Sequence, residues 1–306
     1  MSAFKRSYNR PILLLMITAM MWAGNSIAGK LAVGEVSPLV VVFLRWAIVS
    51  GLMLTFYGKK LIAHWKTIAP HIVGIALMAA FGFTGFNALF YIAAHDTSAL
   101  NIGILQGSVP MLVALGALFV FGDRITFAQF IGILFTLGGV IAIASEGNLQ
   151  RLVELEINPG DGLMIIACVF YAGYTLGLRS RPKVPALVFF TVTSSVAAIV
   201  SFPLVGYEMA TETALWPTFE GWLIVLYIAL FPSFIAQIFF MRGVELIGPA
   251  RAGLFVNLIP IFGAVFAVVL LGETFRFYHA AGLSLVLGGI WISEHFAAKA
   301  PKASLP

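Results

Sequence analysis

The sequence predicts an all-α integral membrane protein in which ten transmembrane helices form two inverted five-helix repeats. Three observations carry that prediction. First, 60% of the 306 residues belong to the apolar set AVILMFWYC and only 10% are charged, with a mean hydropathy of +1.00. A soluble domain carries about a quarter charged residues, so this chain lacks the polar surface to cover a globule in water. That excludes a soluble enzyme, a disordered tail and a nucleic-acid module. Second, the apolar residues gather into stretches that match a hydrocarbon core of about 30 Å, which takes about 20 helical residues to cross. Third, the second half of the chain repeats the first at an offset of about 150 residues.

In order, the stretches run 11–33, 38–57, 70–93, 98–121, 126–144, 160–178, 185–205, 221–241, 247–271 and 277–297. Prolines, glycines and polar breaks separate them. Lys5, Arg6 and Arg10 before the first stretch imitate a secretory signal, but it is too long and has no small-x-small cleavage site, so it reads as a retained helix. The third and eighth stretches carry Gly82, Gly85 and Pro232 internally. Membrane β-strands need only about 9–11 residues and alternate in polarity, which these stretches do not.

Basic residues orient the chain. With the N-terminus inside, the cytoplasmic segments hold Lys5, Arg6, Arg10, Lys59, Lys60, Lys66, Arg124, Arg179, Arg181, Lys183, Arg242, Lys299 and Lys302. The opposite side holds only Lys30, Arg151 and Arg276, while Arg45 and Arg251 fall within spans. This bias, with acids such as Glu146, Glu154, Glu156, Asp161, Glu208 and Glu273 outside, places both termini in the cytoplasm. It also accounts for the net charge of +5 without an acidic partner.

The repeat aligns Pro110 with Pro260, Gly122 with Gly272, Gly132 with Gly282 and Gly138-Gly139 with Gly288-Gly289. Asp123 meets Glu273 beside the matched glycine. Trp22-Ala23-Gly24 falls on Tyr171-Ala172-Gly173, with Lys30 opposite Arg179. Five crossings per half is an odd number, so the second half enters the membrane inverted, as in secondary transporters that bind cargo near the midplane between the halves. The expected layout is a first repeat at 1–146, an external linker at 147–158, a second repeat at 159–297 and a cytoplasmic tail at 298–306.

The stretches WAGNSIAGK from Trp22, FLRW from Phe43, and TSALNIGILQGSVPMLVALGALFVFGDRITFAQFIGILFTLGGV from Thr97 resemble the EamA domain of the drug/metabolite transporter superfamily. IGPARAGLFVNLIPIFGAVFAVVLLGETFRFYHAAGLSLVLGGI from Ile247 is similar to its second copy. The resemblance implies a ten-helix carrier with a central cavity that exports metabolites by alternating access. One branch of the family exports aromatic amino acids, and the resemblance extends to it. Tyr171 departs from the tryptophan that many relatives carry there.

Polar groups at mid-span are costly unless they find partners or face water. Asn25, Asn87, Gln106, Gln237 and Asn257 are therefore candidate substrate contacts, with Asn87 and Gln237 one repeat apart. An amide both donates and accepts, which suits a polar or zwitterionic solute; the plainer alternative is hydrogen bonding between helices. Trp22 shares a helix face with Asn25, Tyr91 with Asn87, and Tyr171 with Tyr174. These four aromatics are candidates for a partly apolar cargo, or else for packing or an interfacial belt. The 27 phenylalanines read as packing throughout. Arg45 lies about 12 Å deep and either meets a carboxylate or phosphate, or else snorkels or bonds to carbonyl groups of a neighbouring loop. Pro110 and Pro260 break corresponding helices and are candidate hinges or static kinks. Gly103 and Gly107 form a small-residue face for contacts within the bundle of a monomer or, alternatively, in a dimer.

The leading expectation is a bacterial inner-membrane exporter of small, partly apolar metabolites, most of all neutral or aromatic amino acids, through a central uncharged cavity. Its partners are a small solute and the lipid bilayer, with no nucleic acid. No cofactor is expected, and the single Cys168 excludes a cysteine-cluster metal site. No Asp or Glu falls in the middle third of a span, which argues for facilitated diffusion or exchange instead of carboxylate-based proton coupling. The alternatives are a carrier of organic anions or phosphorylated metabolites, which requires Arg45 and Arg251 to reach the cavity, and an intramembrane enzyme. Against the last, the spans lack GxGD, HExxH and a Ser-His constellation.

Overall fold

The computed structural model describes residues 10–148, 150 and 158–295. Lys5, Arg6, Arg151, Glu154, Glu156, Lys299 and Lys302, most of the expected linker and the tail lie outside the described residues. Within them every regular element is a helix, and eight continuous helical stretches are long and apolar enough to cross a membrane. Outward faces are apolar: along α6 (Val109–Phe121) only Ala117 is buried, while Phe119 and Val120 point away from the bundle.

Helix α1 spans Pro11–Leu31 and α2 spans Pro38–Ile68. Each opens on proline, whose missing N–H has no helical partner in the first turn anyway. α2 outruns its expected end at residue 57 because no proline follows until Pro70, and Lys60 can lie over the Tyr57 ring (5.2 Å) while continuing the helix. The stretch Pro38–Asp96 then doubles back through a tight turn at Ala69–His71, since Arg45 in α2 touches Asn87 and Tyr91 far along the sequence.

Beyond that turn, α3 (Ile72–Ala79) and α4 (Phe86–Asp96) are joined by a widened π turn at Ala80–Gly85. The second half repeats this design with α10 (Phe219–Ile228), a wide turn at Ala229–Ile235 and α11 (Ala236–Ile247). Pro232 removes a helical donor there, and two side chains take up carbonyls: Ser233 Oγ donates to Ile228 O (2.5 Å) and Trp22 Nε1 to Pro232 O (2.9 Å).

The expected single spans 98–121 and 247–271 are each broken in two. α5 (Ala99–Gln106) gives way to α6 at Gly107-Ser108, and α12 (Pro249–Val256) to α13 (Ile259–Leu271) at Asn257-Leu258. Pro110 and Pro260 stand in the first turn of the helix after each break, where they restart it without losing a bond. α6 and α13 both stop at a left-handed glycine, Gly122 (φ 69°) and Gly272 (φ 66°). The remaining helices are α7 (Phe127–Ala144, with a Thr126/Gln129 capping box), α8 (Pro159–Gly177), α9 (Ala186–Ala210) and α14 (Phe277–His295).

The two halves interlock by exchange. α1 packs on α11 and α13, and its counterpart α8 packs on α4 and α6; α2 packs on α9. At the centre of this pattern, α7 crosses α14 so closely that a Cβ on Gly132 would lie 2.5 Å from Gly289 O, and one on Gly139 2.8 Å from Gly282 O. Gly132 is the repeat mate of Gly282 and Gly139 that of Gly289, so a two-fold rotation swaps these contacts. Pairing 132 with 289 and 139 with 282 makes the mates antiparallel. That is the relation of an inverted repeat, whereas repeats about the membrane normal keep mates parallel.

Candidate functional site

A cavity of about 1,060 Å³, including its open mouth, lies between the halves. Trp22 and Asn25 of α1, Asn87 of α4, Gln106 of α5, Tyr171 and Tyr174 of α8, Gln237 of α11 and Asn257 all line it, as do Pro110 and Pro260. Both wide turns contribute, through Gly82 and Phe83 on one side and Pro232 and Ser233 on the other. The turn at Ala80–Gly85 needs Gly82, because any Cβ there would collide with the Tyr174 side chain.

One wall is aromatic. Trp46 stacks on Phe83 (4.7 Å between centroids, 12° between planes), Phe83 tilts against Tyr174 (5.1 Å), and Tyr174 continues to Tyr171 (5.6 Å) and Phe86. Phe83, Phe86 and Phe190 face the cavity, which corrects the expectation that all phenylalanines serve packing. For Phe83 and Phe86 the signal in the sequence was adjacency to Gly82 and Gly85, since a glycine-opened turn presents neighbouring side chains inward.

Arg45 also lines the cavity, so the expectation of an uncharged chamber is corrected. The guanidinium does not snorkel to the helix end. It is 7% exposed, donates from Nη1 to Asn87 Oδ1 (2.5 Å) and to Tyr91 OH (2.8 Å), and rests 5.0 Å from the Trp46 ring centroid. Tyr91 OH passes the chain on to Asn25 Oδ1 (2.9 Å), and Asn87 Nδ2 donates to Phe83 O (2.5 Å). Tyr91 is thus displaced from its expected role: it stands behind the wall as a relay from Arg45 to Asn25 and does not border the cavity. The Asn87–Gln237 pair shares the cavity but not its function, because Asn87 is committed to Arg45 and Phe83 whereas Gln237 bonds to no described residue.

The two ends differ. At one end the Glu273 carboxylate accepts from Ala99 N (2.8 Å) and Leu100 N (2.9 Å), sealing the first turn of α5. Lys30 Nζ donates to Ala94 O (2.8 Å) and Thr97 O (2.9 Å), holding the end of α4. Behind them the buried Asp161 accepts from Thr97 Oγ1 (2.5 Å) and Asn101 Nδ2 (3.2 Å). Arg276 N donates to His279 Nδ1 (2.9 Å), which leaves His279 Nε2–H to donate to Asn101 Oδ1 (3.2 Å). Glu208 closes a further gap by accepting from Ser37 Oγ (2.6 Å), Leu39 N (3.0 Å) and Val40 N (3.2 Å) at the start of α2.

At the other end the counterparts of Glu273 and Lys30 grip each other. Arg179 Nη2 donates to Asp123 Oδ2 (2.5 Å) and lies over the Phe121 ring (4.4 Å), holding the Asp123 carboxyl below the usual carboxylate range. The backbones show the same difference. A Cβ on Gly103 of α5 would meet Gly263 Cα at 3.5 Å, but one on its mate Gly253 in α12 would meet nothing within 4 Å. Asp161, Glu208 and Glu273 escaped sequence reasoning because each reads as a loop or helix-end acid; a carboxylate opposite a helix N-terminus in the repeat alignment was the available sign.

The comparisons agree with this architecture. The EamA-like transporter family model matches the chain twice, at residues 9–145 and 158–294. The uncharacterized transporter YetK of Bacillus subtilis (strain 168) is 28% identical over 91% of this chain and 85% of its own length. The probable amino-acid metabolite efflux pump of Salmonella typhimurium (strain LT2) is 24% identical over 92% of this chain and 93% of that one. The uncharacterized inner membrane transporter YedA of Escherichia coli (strain K12) is 25% identical over 83% and 80%. A protein of known crystal structure superposes with a TM-score of 0.66 over 94% of this chain and 98% of that one; at 18% identity this bears on the fold alone. With both halves matched, the chain belongs to the EamA-like transporter family.

Proposed function

We propose that this protein exports small, partly apolar metabolites of amino-acid size by alternating access, in a bacterial inner membrane, with both termini cytoplasmic. Ten crossings follow if Pro38–Asp96 counts as two and Phe277–His295 is added to the remaining candidates. At 1.5 Å per residue the 59-residue stretch is about 90 Å long, three times the hydrocarbon core. The single observation that carries the reading is a cavity between inverted halves that is clamped at one end and not at the other. By the charge bias the clamped end, with Glu273 and Lys30, faces outside, so this state admits cargo from the cytoplasm.

Inversion dictates how the other state is reached. Asp123 and Arg179 part and hold the α11–α12 junction, while Glu273 and Lys30 release α4 and α5 and pair together. The breaks before Pro110 and Pro260 serve as hinges for this exchange. The amino-acid size of the cargo draws on the efflux pump of Salmonella.

Purified protein in liposomes preloaded with labelled threonine, methionine or phenylalanine tests the reading. Release of at least one solute is expected, slowed by Asn87→Ala and Gln237→Ala, with no release driven by a pH gradient alone. Unchanged flux in both variants removes these amides from the site, and chemical conversion without flux favours an enzyme.

A further inference from the structure

Resting on the carrier reading, we propose that Arg45 is the carboxylate site for the cargo, and that the cavity selects organic monoanions with an apolar body over zwitterions of the same shape. A guanidinium offers five N–H donors in a planar fork. Here Nη1 serves Asn87 and Tyr91, Nε is buried without a partner, and no described residue bonds to Nη2. A carboxylate approaching the Nε–Nη2 edge satisfies both donors with two parallel hydrogen bonds. The group is already fixed for that task. Asn87 and Tyr91 hold one edge and the Trp46 ring supports the group, so little side-chain freedom remains to be lost on binding.

Charge balance supplies the selectivity. Among the described residues, no Asp or Glu lines the cavity and no carboxylate pairs with Arg45. Glu294 reaches the wall only through Asn257 Nδ2 (3.0 Å) and does not border the cavity itself. A buried cation without a counter-ion is unfavourable, and an incoming carboxylate neutralises it. The ammonium of a zwitterion would find no anion to replace its water. The remaining acceptors are neutral, and the carbonyl oxygens of Asn25 and Asn87 are taken by Tyr91 and Arg45. A dianionic phosphate is equally ill matched, because Arg45 is the lone guanidinium on the wall and Arg251 is exposed on α12. The apolar body rests on Phe83, Phe86, Tyr171, Tyr174 and Phe190.

L-3-Phenyllactate and L-phenylalanine test this, since they share a skeleton and differ by hydroxyl against ammonium. Binding to the full-length protein in detergent at pH 7.5 is read from quenching of Trp22 and Trp46, which both border the cavity. Counterflow in proteoliposomes gives a second readout. Phenyllactate is expected to bind at least 10-fold more tightly than phenylalanine and to be the better counterflow substrate. Arg45→Gln is expected to weaken phenyllactate at least 10-fold and erase the preference, with Arg45→Lys, a cation without the fork, in between. Should Arg45→Gln fail to fold, Arg45→Lys and the wild-type preference still decide. Phenylalanine binding as tightly as phenyllactate, or unchanged phenyllactate affinity in a well-folded Arg45→Gln protein, overturns the inference while transport of other solutes leaves the carrier intact. Absence of flux for these and every solute of the amino-acid panel overturns both.

Discussion

Replacing Glu273 with glutamine removes the charge from the carboxylate that seals the start of α5. In the wild type its two oxygens accept from Ala99 N and Leu100 N at 2.8 and 2.9 Å. Glutamine keeps one acceptor and turns the other into a donor facing an N–H. A hydrogen bond to a charged group is worth about 1.5–3 kcal/mol, and a negative charge at a helix N-terminus about 0.3–1 kcal/mol more. Ser98 Oγ still accepts from Asn101 N (3.0 Å), so the helix itself persists. The loss of about 2–3 kcal/mol in the clamped state is partly offset by the exposed pair with Lys30 lost from the other state, worth about 0–1 kcal/mol. The balance therefore shifts toward release by about 1–3 kcal/mol, a factor of about 5–150.

Cysteine accessibility reads that shift directly. Cys168 is the only cysteine of the chain and is buried, so its background is low. Ala99→Cys places a small thiol at a fully buried site beside the clamp and leaves its backbone N–H in place. Modification by a membrane-impermeant maleimide from outside is expected to accelerate about 5-fold or more in the Glu273→Gln background. Asp123→Asn, which touches only the other end, should leave the rate unchanged or slower. Equal rates within a factor of two with and without Glu273→Gln would show that this carboxylate does not hold the outer end.

Other perturbations give separate readings. Gly289→Val puts a methyl-bearing carbon where a Cβ already lies 2.5 Å from Gly132 O, forcing α7 and α14 apart; a cost of about 1–3 kcal/mol or more should appear as a lower Tm in detergent. Asp161→Ala strands the Thr97 hydroxyl and the Asn101 amide inside the bundle, at about 1–3 kcal/mol for each unsatisfied group, and should both lower Tm and raise Ala99→Cys labelling. Because Arg179 depresses the Asp123 pKa, the stabilisation from this pair is fully present above the ordinary carboxylate range and fades only as pH falls through the lower folded value. Accessibility at the cytoplasmic end should therefore be flat between pH 7 and pH 5, as thiol labelling near Arg179 can check.

The legible parts of the fold were those fixed by bulk chemistry. Apolar runs gave the helices, and the matched glycines at 132, 139, 282 and 289 mark close backbone approaches between the halves. Helix ends were less legible where the polar surroundings permit either outcome: Lys59 and Lys60 suit an exposed helix as well as a loop, so nothing local stops α2 at Tyr57. The wide turns escaped because Gly82 and Pro232 announce a break without specifying its geometry. In the candidate site, mid-span depth marked Trp22, Asn25, Gln106 and Gln237, all on the cavity wall. Depth says nothing about which hydrogen bonds a group has already formed: Arg45 bonds to both Tyr91 and Asn87, and only Asn87 borders the cavity. Arg45 was left open between an anion site and snorkelling for the converse reason. Its partners come from α4, and only folding brings them within reach.

The glycine seam between α7 and α14 joins two repeat mates, so rotation by half a turn carries it onto itself. If the carrier's second state is the first with its halves interchanged, junctions between unlike helices, such as α1 with α11, must swap partners, but this one ends as it began. It can therefore be packed as tightly as backbone atoms allow without adding friction to the cycle, like an axle about which both wheels turn. Bulk introduced there should loosen the whole assembly and leave the preference for one face of the membrane untouched.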